Sequence, residues 1–300
     1  MIEIRGLTKQ FDGFPALNGV DMNVRDGSIY GLVGTNGAGK TTFLKLIAGI
    51  LKEDSGDILV GGEAVWENVE VKAKAAFIPD DLSFYHSYDL SEAAHFFAGL
   101  YPRWNPDIFD EVIDGFRLDR RNRLSRFSKG MQKQAVFALT LATTPDYLIL
   151  DEPIDGLDPI VRKTIWKYIV GAAADRGMST LVSSHNLREM EGFCDTIGII
   201  DKGRMVLERD LEDLKTDVHK LQVSFGEAAN RPEGVYDTLN VMHSSSSGSV
   251  DYLIVRNDGA ALDRFRAERM PLIFDRVPLT LEEVFIYELG GASDAINNIL

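Results

Sequence analysis

Disulfides are excluded by arithmetic: the 300-residue chain holds one cysteine, Cys194, so no bridge can form within it, and this usage fits a reducing compartment. Basic side chains are in short supply. Lys and Arg number 32 against 46 Asp and Glu, a net charge of −14. Such a surface is poorly suited to nonspecific binding of DNA or RNA, whose phosphates must be neutralised, and no nucleic acid is expected as a partner. Long apolar runs are missing too: none reaches the ~18 residues that cross a bilayer. The opening residues, Met1-Ile2-Glu3-Ile4-Arg5, alternate like a strand. They lack a charged stretch followed by an apolar one, so secretion is not expected. There are no internal repeats and no heptads long enough for a coiled coil. No asparagine is followed by lysine, which removes the Asn-Lys-x-Asp signature of common guanine readers.

What is present is ordinary for a globular protein, with 45% hydrophobic and 26% charged residues. The length suits roughly two domains at ~150 residues each. The composition points to a soluble, acidic, cytoplasmic α/β protein.

The first sixty residues read as short strands and turns. Ser28-Ile29-Tyr30-Gly31-Leu32-Val33 is an apolar run of strand length, and after a glycine-rich loop Phe43, Leu44, Leu46, Ile47 and Leu51 recur at helical spacing. Residues of about 85–144 carry almost no strand signal and read as a helical insert, divided near Pro102 and Pro106. Tyr147-Leu148-Ile149-Leu150 and Thr180-Leu181-Val182-Ser183 are apolar runs that lead into helical stretches. Continuous apolar strands alternating with helices indicate a parallel sheet covered on both faces. The texture changes beyond about residue 215. Strand-like runs at Leu221 to Phe225, Tyr252 to Val255 and Leu272 to Phe274 suit a small α+β domain over 216–300. Its expected core is Leu221, Val223, Phe225, Leu253, Val255, Phe274, Val284 and Phe285. Ser244 to Ser249 reads as a polar loop, the tip of a hairpin.

Gly34-Thr35-Asn36-Gly37-Ala38-Gly39-Lys40-Thr41-Thr42 matches the phosphate-loop pattern, with a strand before it and a helix after. The glycines let backbone N–H groups turn inward onto phosphate oxygens. The helix that starts near Gly39 directs its positive end at them. Lys40 adds a cation for the terminal phosphates and Thr41 a hydroxyl for Mg²⁺. Without a guanine signature, ATP is the expected nucleotide. The run ending in Asp151-Glu152-Pro153 places two carboxylates at the carboxyl end of a buried strand, where ligands of parallel sheets bind. Asp151 is the candidate Mg²⁺ ligand and Glu152 the candidate general base for water. Cys194 reads as a small core residue.

Further residues resemble the ABC ATPase family. Arg126-Phe127-Ser128-Lys129-Gly130-Met131-Gln132 is similar to the Leu-Ser-Gly-Gly-Gln signature loop. Asp155-Gly156-Leu157-Asp158 follows the acidic strand as the D-loop does, Ser184-His185 ends the next strand as the switch histidine does, and Phe11 matches the aromatic that stacks on adenine. The resemblance covers about residues 1–215. It implies the P-loop ABC ATPase fold, a mixed sheet core with a helical insert, followed by the small C-terminal domain. It implies a dimer in which ATP on Gly34 to Thr42 of one subunit is closed over by Ser128 and Gly130 of the other, with Asp158 at the same junction and His185 beside the γ-phosphate and water. Two departures stand out. Most members have glutamine after the strand matched here by Ala76-Phe77-Ile78-Pro79, whereas this chain has Asp80 and Asp81; Asp80 is a third candidate Mg²⁺ ligand. Lys129 replaces a signature glycine.

The resemblance further implies a transporter ATPase with a separate membrane permease, peripheral on the inner face of the cell membrane and attached only through that permease. A soluble ABC ATPase acting on a macromolecular assembly is the alternative. Ser128-Lys129-Gly130-Met131 and the closing Leu281-Glu282-Glu283-Val284-Phe285 resemble exporters of drugs, bacteriocins and cell-envelope compounds. The permease is expected to dock around Leu82-Ser83-Phe84-Tyr85-His86-Ser87-Tyr88, where three aromatics follow the acidic loop.

Overall fold

A computed structural model describes residues 1–82, 88–212, 218–226, 232 and 234–283. The chain divides into two compact units. The first comprises Met1–Asn186 with Gly192–Glu208; the second comprises Leu187–Glu191 with the described residues from Arg209 onward.

In the first unit, alternating burial of Ile2, Ile4 and Leu7 makes β1 (Ile2–Phe11) a half-buried strand. It pairs antiparallel with β2 (Phe14–Val24) and β4 (Ser55–Val60), and β5 (Glu63–Ala64) completes the order β2-β1-β4-β5. These first strands are ten and eleven residues long, not short. Three register shifts between β1 and β2 break the two-residue alternation that would reveal their length.

The second sheet of this unit holds β3 (Ile29–Val33), β6 (Ala75–Ile78), β7 (Tyr147–Asp151), β8 (Ser179–Ser184), β9 (Thr196–Asp201) and β10 (Arg204–Asp210), in the order β10-β9-β3-β8-β7-β6. The pairs β6/β7, β7/β8, β8/β3 and β3/β9 are parallel. All five side chains of β3 and all six of β8 are buried, which explains their continuous apolar or small-residue sequences. Register decides where the chemistry lies. Val33 pairs with Ser184 and Asp151 with Ser183, so Gly34, Glu152 and His185 leave three adjacent strands at nearly one level.

Helix α1 (Lys40–Ile47) buries Phe43, Leu44, Leu46 and Ile47 against the core, and α2 (Val69–Lys74) precedes β6. The insert is α3 (Leu90–Leu100), α4 (Pro106–Phe116) and α5 (Lys129–Ala142). Asp89 and Glu92 form a reciprocal capping box on α3, and Asn105 caps α4 with Pro106 in its first turn. Helix α6 (Pro159–Arg176) ends at Gly177, whose φ of 67° closes it in a left-handed turn. Cys194 is a free, buried thiol, and burial pushes its pKa far up; this is the inert core residue the sequence suggests.

In the second unit, β11 (Val218–Ser224), β12 (Val241–Ser247), β13 (Val250–Arg256) and β14 (Ile273–Val277) form an antiparallel sheet ordered β12-β13-β11-β14. Helix α7 (Gly259–Arg269) lays Leu262 and Phe265 on Leu221, Val223, Leu253 and Val255, with Phe225 and Phe274 partly buried beside them. Val284 and Phe285 lie outside the described residues. The serine run is a correction. Ser244 to Ser247 pair with Leu253 to Val250 inside β12, and only Gly248 and Ser249 form the turn. An edge strand buries little of its outer face, so exposed serines are tolerated there.

Candidate functional site

The phosphate loop begins where β3 ends. Gly34 N–H donates to the Ser184 carbonyl at 3.2 Å. A Cβ on Gly34 would stand 2.5 Å from the Ile200 carbonyl oxygen, and one on Gly39 would stand 2.7 Å from the Ala16 carbonyl oxygen. Both glycines are therefore fixed by close backbone approach, and Gly39 also has a φ of 107°. Gly39 is the N-cap of α1 and supplies no side-chain cap, so the first turn offers its N–H groups to an anion. Thr35 and Thr42 are half-buried and Ala38 is buried, while Asn36, Gly37 and Thr41 are exposed around the concavity.

Lys40 is the first residue of α1 and is 6% exposed. Its ammonium folds back over its own loop, donating to the Gly34 carbonyl at 2.6 Å and the Thr35 carbonyl at 3.3 Å. It also pairs with Glu152 Oε1 at 3.1 Å. Glu152 Oε2 lies 2.9 Å from His185 Nδ1 and accepts the His185 backbone N–H at 3.3 Å. A carboxylate oxygen accepts, so Nδ1 is the donor in this contact. Glu152 has a φ of 46°, a left-handed conformation that costs a side-chain-bearing residue roughly 1–2 kcal/mol. Asp151 is almost wholly buried, and its Oδ1 accepts the Ser183 hydroxyl at 2.7 Å. Ser183 in turn accepts the Glu152 N–H at 3.1 Å.

Asp80, just beyond β6, is exposed, and its Oδ1 pairs with Lys133 Nζ at 3.1 Å. Phe11, at the end of β1, is 44% exposed and opposes Phe14 across the hairpin, with Lys9 Nζ 5.5 Å from its ring centre. It stands outside the core. Ser128 caps α5, accepting the Met131 N–H at 3.3 Å. A Cβ on Gly130 would come within 3.2 Å of Leu157 Cδ2. Asp158 caps α6 by accepting the N–H groups of Ile160 and Val161 at 3.0 and 3.1 Å. The loop thus gathers Lys40, Asp151, Glu152 and His185 at one strand-end level, while Ser128, Gly130 and Asp158 stand at the starts of α5 and α6.

This donor set fits a phosphate chain: a glycine-rich loop in which Gly34 and Gly39 admit no Cβ, an uncapped helix start and a buried lysine. Among the described residues, no group of three or more His, Cys, Asp or Glu side chains could hold a metal. Asp151 and Thr41 suit an ion such as Mg²⁺, which completes its shell with water and substrate phosphates.

The model of the ABC transporter family matches residues 17–155. The chain is 31% identical over 291 residues to the ABC transporter ATP-binding protein YtrB of Bacillus subtilis (strain 168), covering 97% of this chain and 99% of that protein. The chain belongs to the ABC transporter ATP-binding family. As an ABC ATPase it binds and hydrolyses ATP. It is also 33% identical over 218 residues to the bacitracin transport ATP-binding protein BcrA of Bacillus licheniformis, covering 72% of this chain and 71% of that protein. A solved ATP-binding subunit of an ABC transporter superposes with a TM-score of 0.67 at 27% identity, covering 72% of this chain and 92% of that one. The fold is that of the ABC ATPase, as the motif order suggests.

Two residues of this ABC ATPase site escape a reading by motif. Ser183 is announced only by register, since it lies opposite Asp151 on the next strand. Lys133 lies one turn inside α5 and donates to the carbonyls of Glu152 at 2.9 Å and Asp155 at 3.2 Å. No spacing rule connects it to either. Of the expected docking stretch, Ser83 to Ser87 lie outside the described residues. Leu82 and Tyr88, which flank them, line a cavity of about 490 Å³ together with Phe77, Phe96, Phe97 and Leu139.

Proposed function

We propose that this ABC ATPase powers export through a separate membrane permease, as one of two identical subunits. ATP lies on Gly34 to Thr42 of one subunit, with Phe11 against the adenine, and is closed over by Ser128 and Gly130 of the other, near Asp158. Thr41 and Asp151 would hold Mg²⁺, with Asp80 a third candidate ligand, and the ion would supply charge neutralisation on the phosphates. Glu152 takes a proton from the attacking water, and His185, oriented by Glu152 through Nδ1, faces the γ-phosphate and that water.

The observation that carries this reading is the placement of Glu152 Oε1 and Oε2 between Lys40 and His185. That puts a carboxylate at the edge of the phosphate cradle with both oxygens oriented. The transport reading is supported by the likeness, over almost the whole chain, to an ABC transporter ATP-binding protein. Export of a drug-like or envelope-active compound is supported by the bacitracin transport relative. Among the described residues no helix is long and apolar enough to cross a membrane. We therefore assign the path to the permease, and the chain to the inner face of the cell membrane through that partner alone. The cavity lined by Leu82, Tyr88, Phe96 and Phe97 is the proposed seat for a cytoplasmic segment of the permease, and Phe96 is exposed on α3.

Two measurements test the proposal. Purification from native membranes should bring down a polytopic membrane protein; recovery with ribosomes or another soluble assembly instead would favour the non-transport reading. Glu152→Gln should slow hydrolysis by ~10²- to 10⁴-fold and accumulate an ATP-bound dimer. Hydrolysis at the parental rate would remove Glu152 as the base.

A further inference from the structure

Lys133 donates to three acceptors on three separate segments: Asp80 Oδ1 at 3.1 Å beyond β6, the Glu152 carbonyl at 2.9 Å beyond β7, and the Asp155 carbonyl at 3.2 Å in the turn before α6. Its side chain is 14% exposed. An ammonium has three diverging donors, and here each has an acceptor. The planar fork of arginine does not match three acceptors spread around one point. The Glu152 carbonyl is the informative partner. It belongs to the residue held at a φ of 46°, whose carboxylate must meet both Lys40 and His185. A strained residue keeps its conformation only when its surroundings over-determine it. Ser183 fixes the amide side of Glu152, and the carbonyl side takes Lys133 at 2.9 Å together with the longer Asp155 N–H bond at 3.4 Å. The third contact matches the departure noted in the sequence: a carboxylate stands at Asp80, and the cation facing it is Lys133.

We propose that Lys133 is a positioning residue for hydrolysis. Planted on α5 of the helical insert, it holds the Glu152 backbone in its left-handed turn and ties that turn to Asp80. The proposal rests on Glu152 being the general base, and it assigns Lys133 no contact with nucleotide. It makes the angle of Glu152 depend on the insert: a shift of α5 that carried Lys133 away would release the Glu152 and Asp155 carbonyls together.

The test uses the purified full-length chain and steady-state hydrolysis of Mg-ATP, with ADP titration and circular dichroism as checks of binding and folding. Lys133→Met should lower kcat at least tenfold and leave the ATP KM within twofold. Lys133→Gln, which keeps a donor but no charge, should fall between Met and the parent, and it serves as the working variant if the methionine form does not fold. Lys133→Arg should recover part of the loss. Each variant should change nothing further in a Glu152→Gln background, because Lys133 acts through Glu152. A parental kcat in both Lys133→Met and Lys133→Gln, a rise in KM matching the fall in rate, or an undiminished further loss in the Glu152→Gln background overturns the proposal. If Glu152→Gln itself hydrolyses ATP normally, the base assignment fails instead, so the two failures are distinguishable.

Discussion

Ser183→Ala perturbs the site while leaving every candidate phosphate ligand in place. The Ser183 hydroxyl is fully buried between β7 and β3, donates to Asp151 Oδ1 at 2.7 Å and accepts the Glu152 N–H at 3.1 Å. A hydrogen bond to an ionised group contributes ~1.5–3 kcal/mol and a neutral one ~0.5–1.5 kcal/mol. Losing both should lower the stability of the first unit by ~2–4 kcal/mol. The control lies on the same strand: Ser179 is equally buried, and its hydroxyl accepts the Gly27 N–H at 3.0 Å, so Ser179→Ala should cost ~1 kcal/mol. Urea unfolding followed by tryptophan fluorescence isolates the relevant unit, because Trp66, Trp104 and Trp166 all belong to it. Without its hydroxyl partner the Asp151 carboxylate is also free to rotate, and the Mg²⁺ needed for half-maximal hydrolysis should rise ~10-fold, as for other residues that orient a metal ligand. If Ser183→Ala destabilises no more than Ser179→Ala, the Asp151 carboxylate is not held by this hydroxyl and the reasoning fails.

Glu152→Gln should bind ADP several-fold more tightly than the parent, because the carboxylate that occupies Lys40 at 3.1 Å no longer competes with phosphate; unchanged or weaker binding in a fluorescent-ADP titration refutes that competition. The Asp146 carboxyl is held below the usual carboxylate range chiefly by hydrogen bonds from Arg103, against an opposing effect of burial, with N···O distances of 2.8 and 2.7 Å. A folded-state pKa below the unfolded one stabilises above the unfolded value of ~3.9 and is lost as pH falls through the lower folded value. Both side chains are nearly half exposed, so Arg103→Gln should cost at most ~1 kcal/mol at pH 7. The gap between the variant and the parent should close as acid protonates Asp146, and a gap that widens in acid counts against the pairing.

The parallel core was legible because its strands are continuous apolar or small-residue runs; the helix caps were not part of that reading. Asp89, Asn105, Ser128 and Asp158 each accept backbone N–H groups at a helix start. The phosphate loop was legible for a steric reason: only glycine fits where Gly34 and Gly39 approach carbonyl oxygens. The lengths of β1 and β2 were hidden by register shifts, and β12 by a serine run whose strand character comes from pairing with β13 rather than from its own composition. Ser183 and Lys133 were hidden for a related reason. Each acts across the fold on a partner 31 or 19 residues away, and such contacts follow from register and helix placement, which no local pattern encodes.

The same long-range contacts explain why a strained glutamate suits this site. Glu152 has a backbone bond to β8 through Ser183, carbonyl bonds from Lys133 on α5 and from the Asp155 N–H, and side-chain bonds to Lys40 and to the ring and backbone N–H of His185. Of these, only the Lys40 bond lies where the phosphates of ATP are proposed to sit. In the proposed cycle, nucleotide binding therefore exchanges a single partner. The phosphates take the ammonium, Glu152 Oε1 is vacated toward the attacking water, and the remaining bonds keep the carboxylate aimed. A relaxed glutamate with the same side chain would have to find that aim after ATP arrives, at a cost in orientation that the preformed turn has already met in folding.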